Sequence, residues 1–428
     1  MVPARLFVLM LVLPSTAFAQ AVAIRAGNLV DPAAGSVARN QIILVRDGRI
    51  TEVGPRVQIP AGVETIDLSS SWVMPGLADA HVHLTAGPAP GLPAAVIVPY
   101  LSESSGLRAL RGAHHARAVL MAGFTAVKDV GNDAEYSAVD LRRAIGRGWT
   151  VGPTMLTTGK IIAPFGGQSE NVPPEQGRFW KHEYLDADTP DEVRKAVREN
   201  IYYGANAIKL VADNNAYYFS AAEVRAAVEE SHAAGLTCAV HVYGGKAADN
   251  VIAAQPDSIE HGFTLSDEQL RAMKEKSIVL VGTDFPEAHL KQMAANPVAD
   301  GKTLGQRIVD RLRRAHHAGV TMAFGTDVFM DLADKSRPEL MLDYLDIWTA
   351  AGIPPGDILK AMTVNAYELF KWQGKRGWIA AGHAADIIAA PANPLENIQA
   401  LRKVNFVMKD GKVVRVPTSS AAGAPPAR

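Results

Sequence analysis

Two imidazoles separated by one residue, His81 and His83, close the apolar run Val73-Met74-Pro75-Gly76-Leu77-Ala78-Asp79-Ala80-His81-Val82-His83-Leu84. On a strand, residues i and i+2 project to the same side, so the two rings would face one centre. Neutral imidazole is the commonest protein ligand for divalent transition metals, and a pair on one rigid strand is half of a metal site. Alone, the pair is also compatible with surface or hydrogen-bonded core histidines, so the other half has to come from elsewhere in the chain. Lys209 stands in the apolar run Ala207-Ile208-Lys209-Leu210-Val211, where an ammonium is costly unless it is paired or has lost its charge. His241 ends Thr237-Cys238-Ala239-Val240-His241, His261 ends Ser258-Ile259-Glu260-His261, and Asp327 ends Met322-Ala323-Phe324-Gly325-Thr326-Asp327. Singly, each has an ordinary structural reading: a core histidine, a helix-capping aspartate, a salt-bridged lysine. Gathered at one place, these residues form a metal site.

Gathering them is the task of the elements. Strand-like and helix-like segments alternate at the spacing of parallel βα units, with strands expected near 77–84, 125–131, 154–160, 207–213, 237–244, 258–263, 278–284 and 321–327. Helices are expected over 106–122, 191–203, 221–234, 267–276, 304–318 and 339–351. Such repeats predict a closed (β/α)8 TIM barrel of the α/β class, whose chemistry collects at the C-terminal ends of the strands. The open doubly wound alternative lacks a Gly-x-Gly-x-x-Gly turn after its first strand. Strand parity places Ala239, His241 and Tyr243 on the inward face, and Ala207, Lys209 and Val211 likewise; Cys238, Val240, Ile208 and Leu210 pack outward. Two β-rich stretches flank the barrel, each with an Asp-Gly turn, at Asp47-Gly48 and Asp410-Gly411. Neither stretch buries much surface alone, so residues 20–72 and 375–416 are expected to form one small β-sandwich around a barrel of residues 73–374.

Composition limits the function classes. The 428 residues are 48% hydrophobic with a formal charge of −1, which leaves no excess of basic side chains for nucleic acid. A single cysteine excludes an intrachain disulfide and any zinc module built on several thiolates. Residues 1–19 read as a signal peptide: Arg5, an apolar run from Leu6 to Leu13, then the small-x-small site Ala17-Phe18-Ala19. Export to the periplasm or the exterior is expected, with no stable membrane span. Residues 417–428 are small, Pro-rich and free of aromatics, the composition of a disordered tail.

Further motifs carry a resemblance. Pro75-Gly76-Leu77-Ala78-Asp79-Ala80-His81-Val82-His83, Gly123-Phe124-Thr125-Ala126-Val127-Lys128-Asp129, Ile208-Lys209, His241, Glu260-His261-Gly262, Gly325-Thr326-Asp327 and Ala381-Gly382-His383-Ala384-Ala385-Asp386-Ile387 resemble the amidohydrolase superfamily. These are metal-dependent hydrolases on a distorted (β/α)8 barrel with an added β-sandwich. The resemblance implies two divalent metal ions, one on His81, His83 and Asp327, the other on His241 and His261. Lys209 would bridge them as an N-carboxylated lysine, which exchanges a repelled ammonium for an anionic oxygen ligand. Nitrogen and oxygen ligands without thiolate favour zinc, with manganese or cobalt as alternatives. The ions would lower the pKa of a shared water until hydroxide is available near neutrality. Asp327 would act as general base and then acid, and Tyr243 as a hydrogen-bond donor to the oxyanion.

Among these hydrolases the pattern is similar to the exported Xaa-Pro dipeptidase and carboxypeptidase-like group that includes ochratoxin-degrading amidases. The expected reaction is therefore hydrolysis of an amide or peptide bond that releases a C-terminal amino acid from a small molecule. Where many of that group carry Gly-Gly-His, this chain has Gly166-Gly167-Gln168, and Gln168 does not titrate near neutrality. Gln168, Tyr217, Tyr218 and His289 are candidate substrate contacts, and Lys128, Lys160 or Arg337 could meet a substrate carboxylate. His114-His115 and His316-His317 lie in helices and read as packing or surface residues. A lactonase on the same site is the alternative within hydrolases; a metal-dependent lyase or isomerase, or a non-catalytic binding protein, are alternatives of other classes. A homo-oligomer is compatible with all of these.

Overall fold

Alternating apolar residues from Ala21 onward build a sheet before they build anything else. In a computed structural model, which describes residues 21–87, 102–131, 134–169, 171–213, 216–292, 301–331 and 334–416, strands β1 (Ala21–Asp31), β2 (Ser36–Arg46), β3 (Arg49–Gly54) and β4 (Glu64–Pro75) open the chain. The expected signal peptide and C-terminal tail lie outside the described residues. Antiparallel β2 and parallel β4 flank β1, and Asp47-Gly48 turns β2 into β3 with positive φ at both residues, as a two-residue hairpin requires.

The barrel strands follow as β5 (Leu77–Val82), β6 (Phe124–Asp129), β7 (Thr154–Thr157), β8 (Ile161–Ala163), β9 (Tyr184–Asp186), β10 (Ile208–Val211), β11 (Cys238–Gly244), β12 (Ser258–Thr264) and β13 (Val279–Val281). They pair in parallel as β5-β6-β7 and as β13-β12-β11-β10-β8-β9. Backbone hydrogen bonds join the two arcs. Thr157 O accepts from the N–H groups of Asn206 and Ala207 on one side; on the other, segment 321–327 runs between Leu280, which donates to Thr321 O, and Ala80, which donates to Phe324 O.

The expected third strand, 154–160, is broken in two. Gly159 turns at φ 67°, and the buried carboxamide of Asn200 hydrogen-bonds both the N–H and the C=O of Lys160, replacing the ladder there. The eighth strand is likewise extended without a regular ladder, so the barrel is distorted at these two places. The long segment after the third strand holds structure of its own, including β9.

Helices α1 (Ser105–Met121), α2 (Ser137–Gly146), α3 (Pro190–Tyr203), α4 (Ala221–Ala233), α5 (Gly245–Ala254), α6 (Asp267–Glu275), α7 (Glu287–Gln292), α8 (Leu304–Ala318), α9 (Arg337–Ala350), α10 (Pro355–Ala361) and α11 (Val364–Leu369) complete the chain between strands. Capping boxes at Ser220/Glu223, Ser266/Gln269, Thr303/Gln306 and Ser336/Glu339 set the starts of four of them, and move the onset of α9 two residues before the expected Glu339. Outward-facing Ile208, Leu210, Cys238 and Val240 join the core between barrel and helices, as parity requires. Among the described residues no helix is long and apolar enough to cross a membrane.

The chain then returns to its first sheet through β14 (Ile387–Ala390), β15 (Phe406–Lys409) and β16 (Lys412–Arg415), giving the order β16-β15-β14-β4-β1-β2-β3. The far edge comes back on itself, because Ile50 donates to His383 O and accepts from Gly382 just before β14 begins. Val22, Ile24, Ile43, Val45, Leu68, Ile387, Phe406 and Met408 fill the enclosed core, which is the expected sandwich built from both chain ends. β4 runs to Pro75, paired there with Ile387, so the sheet passes straight into the strand that carries His81.

Candidate metal centre

Beneath the site the barrel interior is lined by small residues, Ala78, Ala80, Ala126, Ala207 and Ala323, which leave room for longer polar side chains above them. His81, His83 and Asp327 meet there, all buried, with one ligand atom of each within 4.8 Å of the others. Asp327 Oδ1 lies 3.0 Å from His83 Nε2 and 3.5 Å from His81 Nε2. The rings of His261 and His81 are 5.2 Å apart, and those of His241 and His261 4.3 Å. Lys209, 2% exposed, lies on β10 opposite Ala239, two residues before the Val211–His241 pair. All six sequence-designated ligands therefore reach one buried pocket at the C-terminal ends of the strands.

The electrostatics suit ligation. Burial holds His241 and His261 well below the usual imidazole range, so both are neutral with a lone pair to give. Burial also pushes Lys209 down to about 8, against the attraction of Glu260 and Asp327. Asp327 stays well below the ordinary carboxylate range: burial opposes its charge, but His81 and His83 more than offset it.

Three imidazoles are oriented by partners that occupy Nδ1. His81 Nδ1 is 2.6 Å from Glu260 Oε2, His83 Nδ1 is 2.8 Å from Gly131 O, and His261 Nδ1 is 2.7 Å from Thr283 Oγ1. Such outer partners fix the tautomer and leave Nε2 for an ion. His241 Nε2 is buried without a hydrogen-bond partner, 3.5 Å from Asp213 Oδ1, which is equally unsatisfied. An orphaned imidazole nitrogen beside an orphaned carboxylate oxygen is expensive unless a cation stands between them. The residues thus fit a site for divalent ions.

Backbone strain marks the same place. His261, Thr283 and Asp327 take φ of 66°, 46° and 56°, a region that costs a non-glycine residue roughly 1–3 kcal/mol. For His261 the reason is visible. Ser258 and Glu260 face inward to Lys128, and Ile259 packs outward, so regular alternation would send His261 outward too; the positive φ breaks that alternation.

Several residues that hold the site escaped sequence reasoning. Asp79 Oδ1 accepts from the N–H groups of His81 and Thr326, tying the first strand to the eighth, and burial raises its carboxyl to about 7. Glu260 carried a signal in its Glu-His-Gly context, whereas Thr283, Asp213 and the clamp made by Arg337 had none. Buried Arg337 donates to the carbonyls of His83, Ala86, Val328 and Phe329 and to Asp331, fastening the loop after His83 to the loop after Asp327. It is consequently not available to a substrate carboxylate. Lys128 is bound to Glu260, and Lys160 to Glu135 and Lys181 O. His115 proves a packing residue, bonded to Leu84 O, and His316 pairs with Asp357 near the surface.

The mouth is aromatic. Tyr243, about a third exposed, packs edge-on to His241 at 4.6 Å and stacks on Phe263 at 5.5 Å. Gln168 accepts from Tyr184 at 3.4 Å, and the Tyr217 hydroxyl donates to Phe165 O; Tyr217 and Tyr218 are both exposed. His289 is buried on α7, 3.3 Å from Asp343 and packed on Tyr344.

The sequence pattern of the amidohydrolase family matches residues 72–414. The chain belongs to that family. Among relatives of this amidohydrolase, the ochratoxinase of Aspergillus niger is 30% identical, over 95% of this chain and 89% of its own length. A solved structure of a Xaa-Pro dipeptidase with bound methionine in its active site superposes with a TM-score of 0.77 at 28% identity, covering 92% of this chain and 100% of that one. The crystal structure of the Aspergillus niger ochratoxinase superposes with a TM-score of 0.78 at 25% identity, over 93% of this chain and 96% of its own. The amidohydrolase described here is accordingly an enzyme, a hydrolase acting on amide bonds.

Proposed function

We propose that this enzyme releases a C-terminal amino acid from a dipeptide, an N-acyl amino acid or an ochratoxin A-like amide, with two divalent ions held by His81, His83, Lys209, His241, His261 and Asp327. The observation that carries the reading is one buried pocket in which three imidazoles are pinned through Nδ1 while the fourth, His241, has an unsatisfied Nε2. The names of the ochratoxinase and dipeptidase relatives support the substrate class. Zinc suits nitrogen and oxygen ligands without thiolate, and manganese or cobalt the same set less selectively. When bound, such ions acidify a water and polarise the scissile carbonyl.

The residues supply the rest. Lys209, lowered to about 8, is the lysine best placed to lose its proton and take up carbon dioxide, becoming an oxygen ligand between the two halves of the site. Asp327 is poised to take a proton from the attacking water and deliver it to the leaving nitrogen. Tyr243, beside His241 at the rim, offers its hydroxyl to the carbonyl oxygen as charge builds there. The exposed aromatic mouth at Tyr217, Tyr218 and Tyr243 gives the acyl side of a substrate a flat apolar surface.

The deciding experiment is a panel of dipeptides, N-acyl amino acids, lactones and ochratoxin A, assayed with and without chelator. Release of a free amino acid, abolished by the chelator and restored by metal, is expected. Turnover of a lactone with no amide cleaved would sink the proposal. Processing after Ala19 belongs to the same reading and is tested by whether the chain recovered outside the cytoplasm begins at Gln20.

A further inference from the structure

The protein carries almost no net charge, yet at the end of the barrel opposite the metal centre a cleft of about 980 Å³ has eight lysine and arginine side chains in its lining against a single carboxylate, Asp410. It lies where the chain enters β7, at Gly152 and Thr154, between the C-terminal end of α2 and the sandwich strands β15 and β16. Three of its cations are locally compensated: Arg376 and Lys409 share Asp386 and Asp410, and Arg143 pairs with Asp140. Five are not. Among the described residues, Arg49, Arg142, Arg147, Lys375 and Lys412 have no carboxylate partner, and the Nε of Arg142 is buried without a hydrogen bond.

Ordinary structural causes account for only part of this. A helix C-terminus favours basic side chains in its last turn, which explains Arg143 and Arg147 on α2. It does not explain Arg49 on β3, Lys412 on β16 or Lys375 before β14, which reach the same cleft from segments far apart in sequence. Residues 1–20 and 417–428 contain no aspartate or glutamate. Like charges gathered in one concavity repel, and the potential there is focused by its low-dielectric walls. A ring of Thr154, Asn206 and the indole of Trp372 adds neutral polar and flat surface to the lining.

We propose that this cleft binds a compact polyanion carrying several phosphate or sulfate groups, at a site separate from the metal centre. The volume suits a small molecule with linked anionic groups, and five uncompensated cations converging from three directions suit several anions at once better than one.

The test is calorimetric titration of the full-length, metal-loaded enzyme at about 50 mM salt, where charge interactions are weakly screened. Sucrose octasulfate and inositol hexakisphosphate are the probes, which distinguish a sulfate-bearing from a phosphate-bearing ligand. Saturable binding of either is expected, weakened about tenfold or more in the triple variant Arg49→Gln, Arg147→Gln, Lys412→Gln, whose melting temperature and amide turnover stay those of the parent. The variant His81→Ala, emptied at the metal centre, is expected to bind the probe as the parent does. Absence of saturable binding to the parent overturns the proposal. So does binding unaltered by the triple variant, or binding lost only in His81→Ala, which would place the anion at the metal centre.

Discussion

Asp327 is held in place by its backbone as much as by its neighbours: a φ of 56° and an N–H donated to His81 O leave the carboxylate little choice of direction. Asp327→Asn keeps the shape and removes the charge and the proton-accepting oxygen. Turnover should fall by about 10²–10⁴-fold while the melting transition stays cooperative, measured by initial rates and circular dichroism. Glu260 acts one step further out, through His81. Glu260→Gln should lower metal affinity roughly 10–100-fold, and added metal should restore much of the turnover; unchanged metal affinity in a competition titration would count against the orienting role. The candidate ligands were legible in the sequence because each ends or interrupts an apolar run, where strand alternation and strand ends limit the choices. Thr283 was not, and Glu260 showed only as part of a motif, since its contact with His81 spans 179 residues and exists only once the barrel closes. The environment of His289 was not legible for a related reason, as its place after the seventh strand says nothing about its contacts with Asp343 and Tyr344.

At the scale of elements, the two distorted places in the barrel have different origins. The break in the third strand is made by Asn200 from α3, a long-range side-chain substitute for ladder bonds that no local pattern announces. The eighth strand carries Asp327 in an extended run and is fixed from outside by Arg337 at the first turn of α9. Removing that guanidinium leaves buried carbonyls of two ligand-bearing loops without donors. Arg337→Met should cost about 3 kcal/mol of stability and weaken metal binding as well, because His83 and Asp327 lose their common fastening. Denaturant titration and metal competition on the same protein separate the two effects; a loss of stability with metal affinity intact would show the clamp to be structural only. The six helices expected from the sequence, by contrast, were readable to within two residues at their starts, and four of them open on capping boxes that the sequence prints.

For the whole molecule, both the barrel and the composite sandwich were legible, the first from eight βα periods and the second from two short β-rich ends that could not stand alone. The join between them was less so, because β4 runs to Pro75 and only Gly76 separates it from β5, so the sheet passes into the barrel with no loop between the two bodies. That continuous strand has a consequence for how the chain is made. β4 can pair with β1 early in synthesis, but its other edge waits for β14, which is translated some three hundred residues later. Throughout that interval the short apolar edge Trp72-Val73-Met74-Pro75 is bare, the kind of surface that recruits foreign strands. A chain cut after Gly377 should therefore collect in the insoluble fraction even with every residue of the metal pocket present, and supplying residues 378–416 as a separate peptide should recover part of it. The late-made β14 thus covers an edge that the early-made β4 leaves open.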